Sequence, residues 1–161
     1  MSFTGFSDQI DPERKIENAL FWPDLSPAEF CAGYRIPAEY RQEMLENRLS
    51  LAMVWVNGQL SAWRAAQQAA GFPMLEDVPV DDQDLPGDGH PLLMWYVRAV
   101  SCKAKALLLA DYATMMRKSD AQAAARNNAV ESEDTADQWH RFASDAINAI
   151  QGKLNIHAEL L

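Results

Sequence analysis

Between Pro37 and Gly71 the apolar residues recur at steps of three and four. Tyr40, Met44, Asn47, Leu51, Val54, Trp55, Gly58, Ala62, Ala65 and Ala69 make one stripe, and Leu45, Leu49, Ala52, Val56 and Trp63 make a second beside it. That spacing predicts one long helix, apolar on two sides and therefore largely buried. Pro37 suits a first turn, where its missing N–H would have no partner, and Gly71 suits the left-handed position just past the end. At about 1.5 Å per residue such a helix spans roughly 50 Å, so the other helices are expected to pack along it. Asn57-Gly58 is also a hairpin signal. The run Leu51-Ala52-Met53-Val54-Trp55-Val56 does not alternate, however, and its flanks are good helix formers. Gly58 then reads as a small residue that admits a close neighbour, at about 1 kcal/mol relative to Ala.

The remaining pattern is helical as well. Ser26-Pro27-Ala28-Glu29 is a capping box with proline at the first helical position, predicting a short helix to about Gly33. From Pro91, the positions Leu92, Trp95, Tyr96, Ala99, Val100, Lys103, Ala106, Leu107, Ala110 and Met115 predict a second long helix to about Ser119. Residues 121–130 either extend it or bend at Asn127-Asn128. A last helix is capped by Ser132, Asp134 or Thr135, carries a stripe of Trp139, Phe142, Ala143, Ala146, Ile147 and Ile150, and stops at Gly152. The expected fold is all-α, a bundle of about four helices near 26–33, 37–70, 91–119 and 133–151. Its expected core includes Leu51, Trp55, Tyr96, Val100, Leu107, Trp139, Phe142 and Ile147. A chain of 161 residues is expected to be a single domain over 1–161.

Both ends stand apart from this pattern. Residues 1–24 lack helical or strand period and read as an N-terminal arm, punctuated by Pro12 and Pro23. Within it, Phe21 and Trp22 beside Pro23 form an apolar anchor that either staples the arm to its own domain or docks on a neighbour. Residues 153–161 form an apolar tail whose Leu154, Ile156, Leu160 and Leu161 either fold back on the helices or dock on a partner.

Charge changes the picture in one respect. Residues 1–90 hold 6 Lys/Arg against 15 Asp/Glu, while residues 91–161 hold 8 of each, so the whole net charge of −9 lies in the first part. An acidic surface repels phosphate backbones, which disfavours tight nucleic-acid binding. Cys31 and Cys102 cannot build a disulfide framework and fit a reducing compartment. No apolar run approaches the roughly 20 residues of a membrane helix, and the start of the chain lacks signal-peptide character, which predicts a soluble cytoplasmic protein.

Chemistry-bearing patterns are sparse. His90, His140 and His157 fall on different elements without ligand spacing, and no phosphate loop, dinucleotide fingerprint or nucleophile elbow is present. The loop after Gly71 carries Asp77, Asp81, Asp82, Asp84 and Asp88. Read as a calcium loop from Asp82, it has Pro86 at the fifth position and Leu93 at the twelfth, so it lacks a third carboxylate and the bidentate Glu. No cofactor, metal or catalytic residue is expected. A small metal-responsive enzyme or regulator using residues 77–88 is the alternative reading.

Several strings in fixed order carry a resemblance. They are Phe21-Trp22-Pro23-Asp24-Leu25-Ser26-Pro27, Ala69-Ala70-Gly71-Phe72, Leu75-Glu76-Asp77-Val78-Pro79-Val80-Asp81-Asp82, Trp95-Tyr96-Val97-Arg98-Ala99-Val100 and Ile150-Gln151-Gly152-Lys153. In this order the chain, from about Asn18 to Lys153, resembles the phage head completion (head stabilisation) proteins of temperate contractile-tailed phages. The resemblance implies a virion structural adaptor rather than an enzyme. It would bind beneath the portal protein after DNA packaging, assemble with itself into a ring, a dodecamer on the portal, and offer a surface to tail-completion or tail-terminator proteins. DNA would pass without specific binding, and no membrane is involved. On that reading Leu154, Ile156, Leu160 and Leu161 would dock on the portal, and Asp77, Asp81, Asp82, Asp84 and Asp88 would face the lumen.

Overall fold

The computed structural model describes residues 10–37, 40–80, 87, 89–120 and 135–153, with the backbone alone described at 115–120. Among the described residues five helices follow one another: α1 (Pro27–Tyr34), α2 (Gln42–Gln59), α3 (Ser61–Ala69), α4 (Pro91–Asp120) and α5 (Ala136–Ile150). A 3-10 turn, Leu75–Asp77, lies between α3 and α4. Among the described residues the extended pairing is a single antiparallel bridge between Ile16 and Leu25. The all-α expectation holds.

Local chemistry explains most of the helix ends. Ser26 caps α1 with its hydroxyl accepting from the Glu29 N–H at 3.3 Å, and Pro27 opens the first turn. The helix runs past Gly33 and closes at Arg35, whose φ of 51° places a non-glycine residue in the left-handed region. Thr135 caps α5 through the Gln138 N–H, and Gly152, at φ 68°, ends it as expected. Residues 121–134, including the Asn127-Asn128 bend, lie outside the described residues.

The long helix from Pro37 to Gly71 is the main correction. It starts later, at Gln42, and is interrupted at Leu60, where φ −98° and ψ 5° leave the helical well. Hydrogen bonds still step across the break, from the Leu60 N–H to the Val56 carbonyl and from the Arg64 N–H to the Leu60 carbonyl. Gly58 and Ser61, weaker helix formers, flank the bend. Beyond it Trp63 faces Phe21 and Trp22, with ring centroids 6.3 and 6.4 Å away. Gly58 itself admits no neighbour, because nothing lies within 4 Å of where its Cβ would be.

The core sits where α4 crosses α2, with α5 and α1 along α4. Leu45, Leu49, Ala52, Met53 and Val56 of α2, with Leu60 at the break, meet Tyr96, Ala99, Val100, Ala104 and Leu108 of α4, and Ala146, Ile147 and Ile150 of α5 complete the cluster. Of the expected core, Tyr96, Val100 and Ile147 are buried. Trp55, Leu107, Trp139 and Phe142 are half-buried, and Leu51 is exposed. The second stripe of α2 therefore packs inward, whereas of the first Met44 and Trp55 are half-buried against the core and Leu51, Val54 and Gly58 are exposed, because among the described residues α4 covers one side of the helix.

Candidate interaction surface

Of residues 10–24, Phe21 and Trp22 belong to this core, with Ile10 and Ile16 packed against it and most of the rest exposed. Phe21 and Trp22 are each only 3% exposed. Trp22 stacks on Tyr96 at 4.7 Å between centroids, and Phe21 meets Trp22 edge-on at the same distance. The Phe21 carbonyl accepts the Leu75 N–H at 2.9 Å, tying this segment to the 3-10 turn. The anchor thus packs inside its own chain.

A closed polar ring holds the anchor in place. Asn18 donates from Nδ2 to the Tyr96 hydroxyl at 2.7 Å, Tyr96 donates to Asn57 Oδ1 at 2.6 Å, and Asn57 Nδ2 donates back to Asn18 Oδ1 at 3.0 Å. The second Nδ2 hydrogen of Asn18 goes to the Pro23 carbonyl, and its Oδ1 also accepts from the Ala19 N–H. Every hydrogen-bonding position of this amide is used. Burial pushes the Tyr96 phenol well above its ordinary value, so it stays a neutral donor. Asn57 was visible in the sequence only as half of a turn signal, and Asn18 carried no signal at all.

With the anchor fixed, the turn from Ala19 to Trp22 presents Leu20 at 92% exposure. Two further apolar faces are open. On α2 and α3, Leu51, Val54, Gly58, Ala62, Ala65 and Ala69 all face outward, with Val54 at 71%. On the first turns of α4, Met94 and Trp95 are 51% and 40% exposed, and Val97, about 200° around the helix from Trp95, is exposed as well. Exposed apolar groups gathered on a helix face, unlike scattered single ones, mark contact surfaces.

Titratable groups do not converge on a reaction centre among the described residues. No group of three or more His, Cys, Asp or Glu there could hold a metal ion. His90 Nε2 lies 3.2 Å from the Val78 carbonyl, and His140 Nδ1 lies 3.1 Å from Lys103 Nζ. Cys31 and Cys102 are free thiols, and burial pushes Cys102 up to about 11, away from reactivity. Asp77 is exposed and its Oδ2 accepts the Met74 N–H at 3.2 Å. Asp81, Asp82, Asp84 and Asp88 lie outside the described residues, as do His157, Leu154, Ile156, Leu160 and Leu161. No described helix is long and apolar enough to cross a membrane.

A small helical protein whose described residues converge on core packing and open apolar faces belongs to the class of structural, contact-making proteins. The phage head completion protein (GPL) family model matches residues 16–161. The head completion/stabilization protein of Escherichia phage P2 is 32% identical over 142 residues, covering 88% of this chain and 79% of that protein. The chain belongs to the phage head completion protein family, and its role is that of a virion structural protein. No solved structure matches it.

Proposed function

We propose that the protein completes DNA-filled heads as a ring adaptor at the neck, seated between the portal protein and the tail-completion or tail-terminator proteins. It acts in the host cytoplasm during assembly and carries no catalytic role. The observation that supports this most directly is the outward α2–α3 face. From Leu49 to Leu75 the chain holds one charged residue, Arg64, although 23% of the whole chain is charged. A soluble monomer gains nothing from such a surface, whereas the centre of a protein interface is depleted in charge. Membership of the head completion family and the name of the phage P2 relative point to the head as the place where it is used.

In this reading residues 153–161 reach the portal through Leu154, Ile156, Leu160 and Leu161, each contributing roughly 1.5–3 kcal/mol before ordering costs. Repetition around a ring, a dodecamer if it matches the portal, adds avidity. Asp77, Asp81, Asp82, Asp84 and Asp88 line the lumen and keep the passing duplex from sticking. Phe21 and Trp22 act on neighbours only indirectly, by fixing Leu20.

Truncation after Lys153 tests the portal contact. The shortened chain is expected to melt at nearly the full-length temperature and to lose binding to purified portal. Portal binding that survives would move docking to the body of the protein, and loss of folding would make the tail part of the core.

A further inference from the structure

We propose that Leu20 is a fixed apolar knob with an acidic border, which docks in an apolar socket bordered by Lys or Arg on the portal protein. The proposal rests on the portal reading above and names a second contact for it, on the body of the chain.

Leu20 is 92% exposed, yet the turn that carries it is tied down on both sides. The Trp22 N–H bonds the Ala19 carbonyl at 2.8 Å, and the Phe21 carbonyl takes the Leu75 N–H at 2.9 Å. Asn18, before the turn, is held by Tyr96 and Asn57, and its own N–H donates to Asp24 Oδ1 at 2.9 Å, which closes the loop from 18 to 24. A leucine on a loose loop loses its freedom when it binds, whereas one already fixed in place has little left to lose.

The border of the knob is acidic. The bond between Phe21 and Leu75 brings the Met74–Asp77 segment up to the turn, where Met74 is 43% exposed and its N–H is held by Asp77 Oδ2. Glu17 and Asp24 flank the turn, and Glu76 follows Leu75. All three are exposed, and among the described residues none of them forms an ion pair. Residues 16–34 and 65–80 contain no Lys or Arg. Arg64, beside Trp63 on α3, is the cation that comes closest in sequence to the contacts of the anchor. Such a border repels another acidic surface, a second copy of this chain included, and is complemented by a basic one.

Position points to the portal. Gln151 Nε2 donates to the Gln59 carbonyl at 3.3 Å, so α5 ends beside the last turn of α2. Asn57, on that same turn, bonds Asn18 and Tyr96. The start of the tail assigned to the portal and the Leu20 turn are therefore at one end of α2, where one partner can take both.

Binding of the full-length chain to purified portal, measured over a range of salt concentrations, tests this. Leu20→Ala is expected to raise Kd at least about tenfold while melting with the wild type, and Leu20→Met, which keeps a large apolar side chain, to retain most of the affinity. Wild-type affinity is expected to fall as salt rises. Glu17→Gln combined with Glu76→Gln is expected to bind more weakly at low salt and to show a shallower salt dependence. The proposal is overturned by a Leu20→Ala chain that binds as the wild type does or melts several degrees lower, or by wild-type affinity that does not fall with salt. It is also overturned if Leu20→Ala weakens self-association in sedimentation and leaves portal binding intact, which would make a second copy the occupant. Each of these results leaves the adaptor reading standing, whereas a wild-type chain that binds no portal at any salt concentration removes the portal reading and this contact with it.

Discussion

The two apolar stripes of α2 look equivalent in sequence and have opposite fates. Leu45, Leu49, Ala52 and Val56 vanish under α4, while Leu51, Val54 and Gly58, at the same helical spacing, stay open. The difference is not one of hydrophobicity but of coverage: among the described residues, helices bury one side of α2. Periodicity reports that a face wants to leave water, and it does not report whether the partner is the same molecule or another.

The sharpest way to break this contrast is a matched pair of truncations. Leu49→Ala, at a fully buried position, is expected to cost about 2–5 kcal/mol. Leu51→Ala, two residues on and exposed, is expected to stay within about 0.5 kcal/mol. Urea titrations read both directly. Similar losses for the two would show that the open stripe is covered by the chain itself.

Next in size is the ring that joins the arm to both helices. Tyr96→Phe keeps the ring stacked under Trp22 but removes the hydroxyl between Asn18 and Asn57, leaving two amides without their partner. The expected cost is about 1–3 kcal/mol. A change below about 0.5 kcal/mol would mean that water replaces the phenol and that the anchor is held by its rings alone.

How much of this was legible beforehand follows from where each signal lives. Helix ends set by local chemistry, such as Ser26 with Glu29 or the glycine at 152, were readable because cap and capped group are neighbours in sequence. The break at Leu60 was not, since Gly58 and Ser61 weaken the helix without fixing where it bends, and the rings that Trp63 faces beyond it, Phe21 and Trp22, lie some forty residues earlier. The apolar anchor of the arm was legible, stapled to its own domain or docked on a neighbour, but the place where it packs was not. Its aperiodic residues 10–24 are fixed by Tyr96 and Asn57, far along the chain, rather than by any period of their own. The open stripe was found as a pattern and expected to be buried, whereas Leu51, Val54 and Gly58 are exposed, and Leu20 was overlooked beside the two aromatics that hold it out.

A smaller effect concerns the other contact between α2 and α4. Arg48 Nε donates to Asp111 Oδ2 across the two helices, with both side chains partly exposed. A double-mutant cycle on Arg48→Gln and Asp111→Asn is expected to give a coupling of about 0.2–1 kcal/mol, falling as salt rises. A larger, salt-independent coupling would make this end of α2 as firmly fixed as its buried stripe.

The smallest expected effect lies on the border between the stripes, at Trp55. Its half-buried ring packs 5.1 Å from the His140 ring of α5 and 4.5 Å from Lys103 Nζ of α4. Burial, and after it the Lys103 ammonium, hold the His140 imidazole below its ordinary 6.5, with Asp137 opposing. The neutral ring accepts the Lys103 proton at 3.1 Å. Because the folded value lies below the unfolded one, the unfolded chain binds more protons between the two. The contribution of His140 is therefore fully present above about 6.5 and is lost as pH falls through that value toward the folded pKa. Melting temperatures taken from about pH 8 to about pH 5 are expected to drop less steeply for His140→Gln than for the wild type. Parallel curves for the two proteins would place the imidazole in water and Trp55 on the open side of α2.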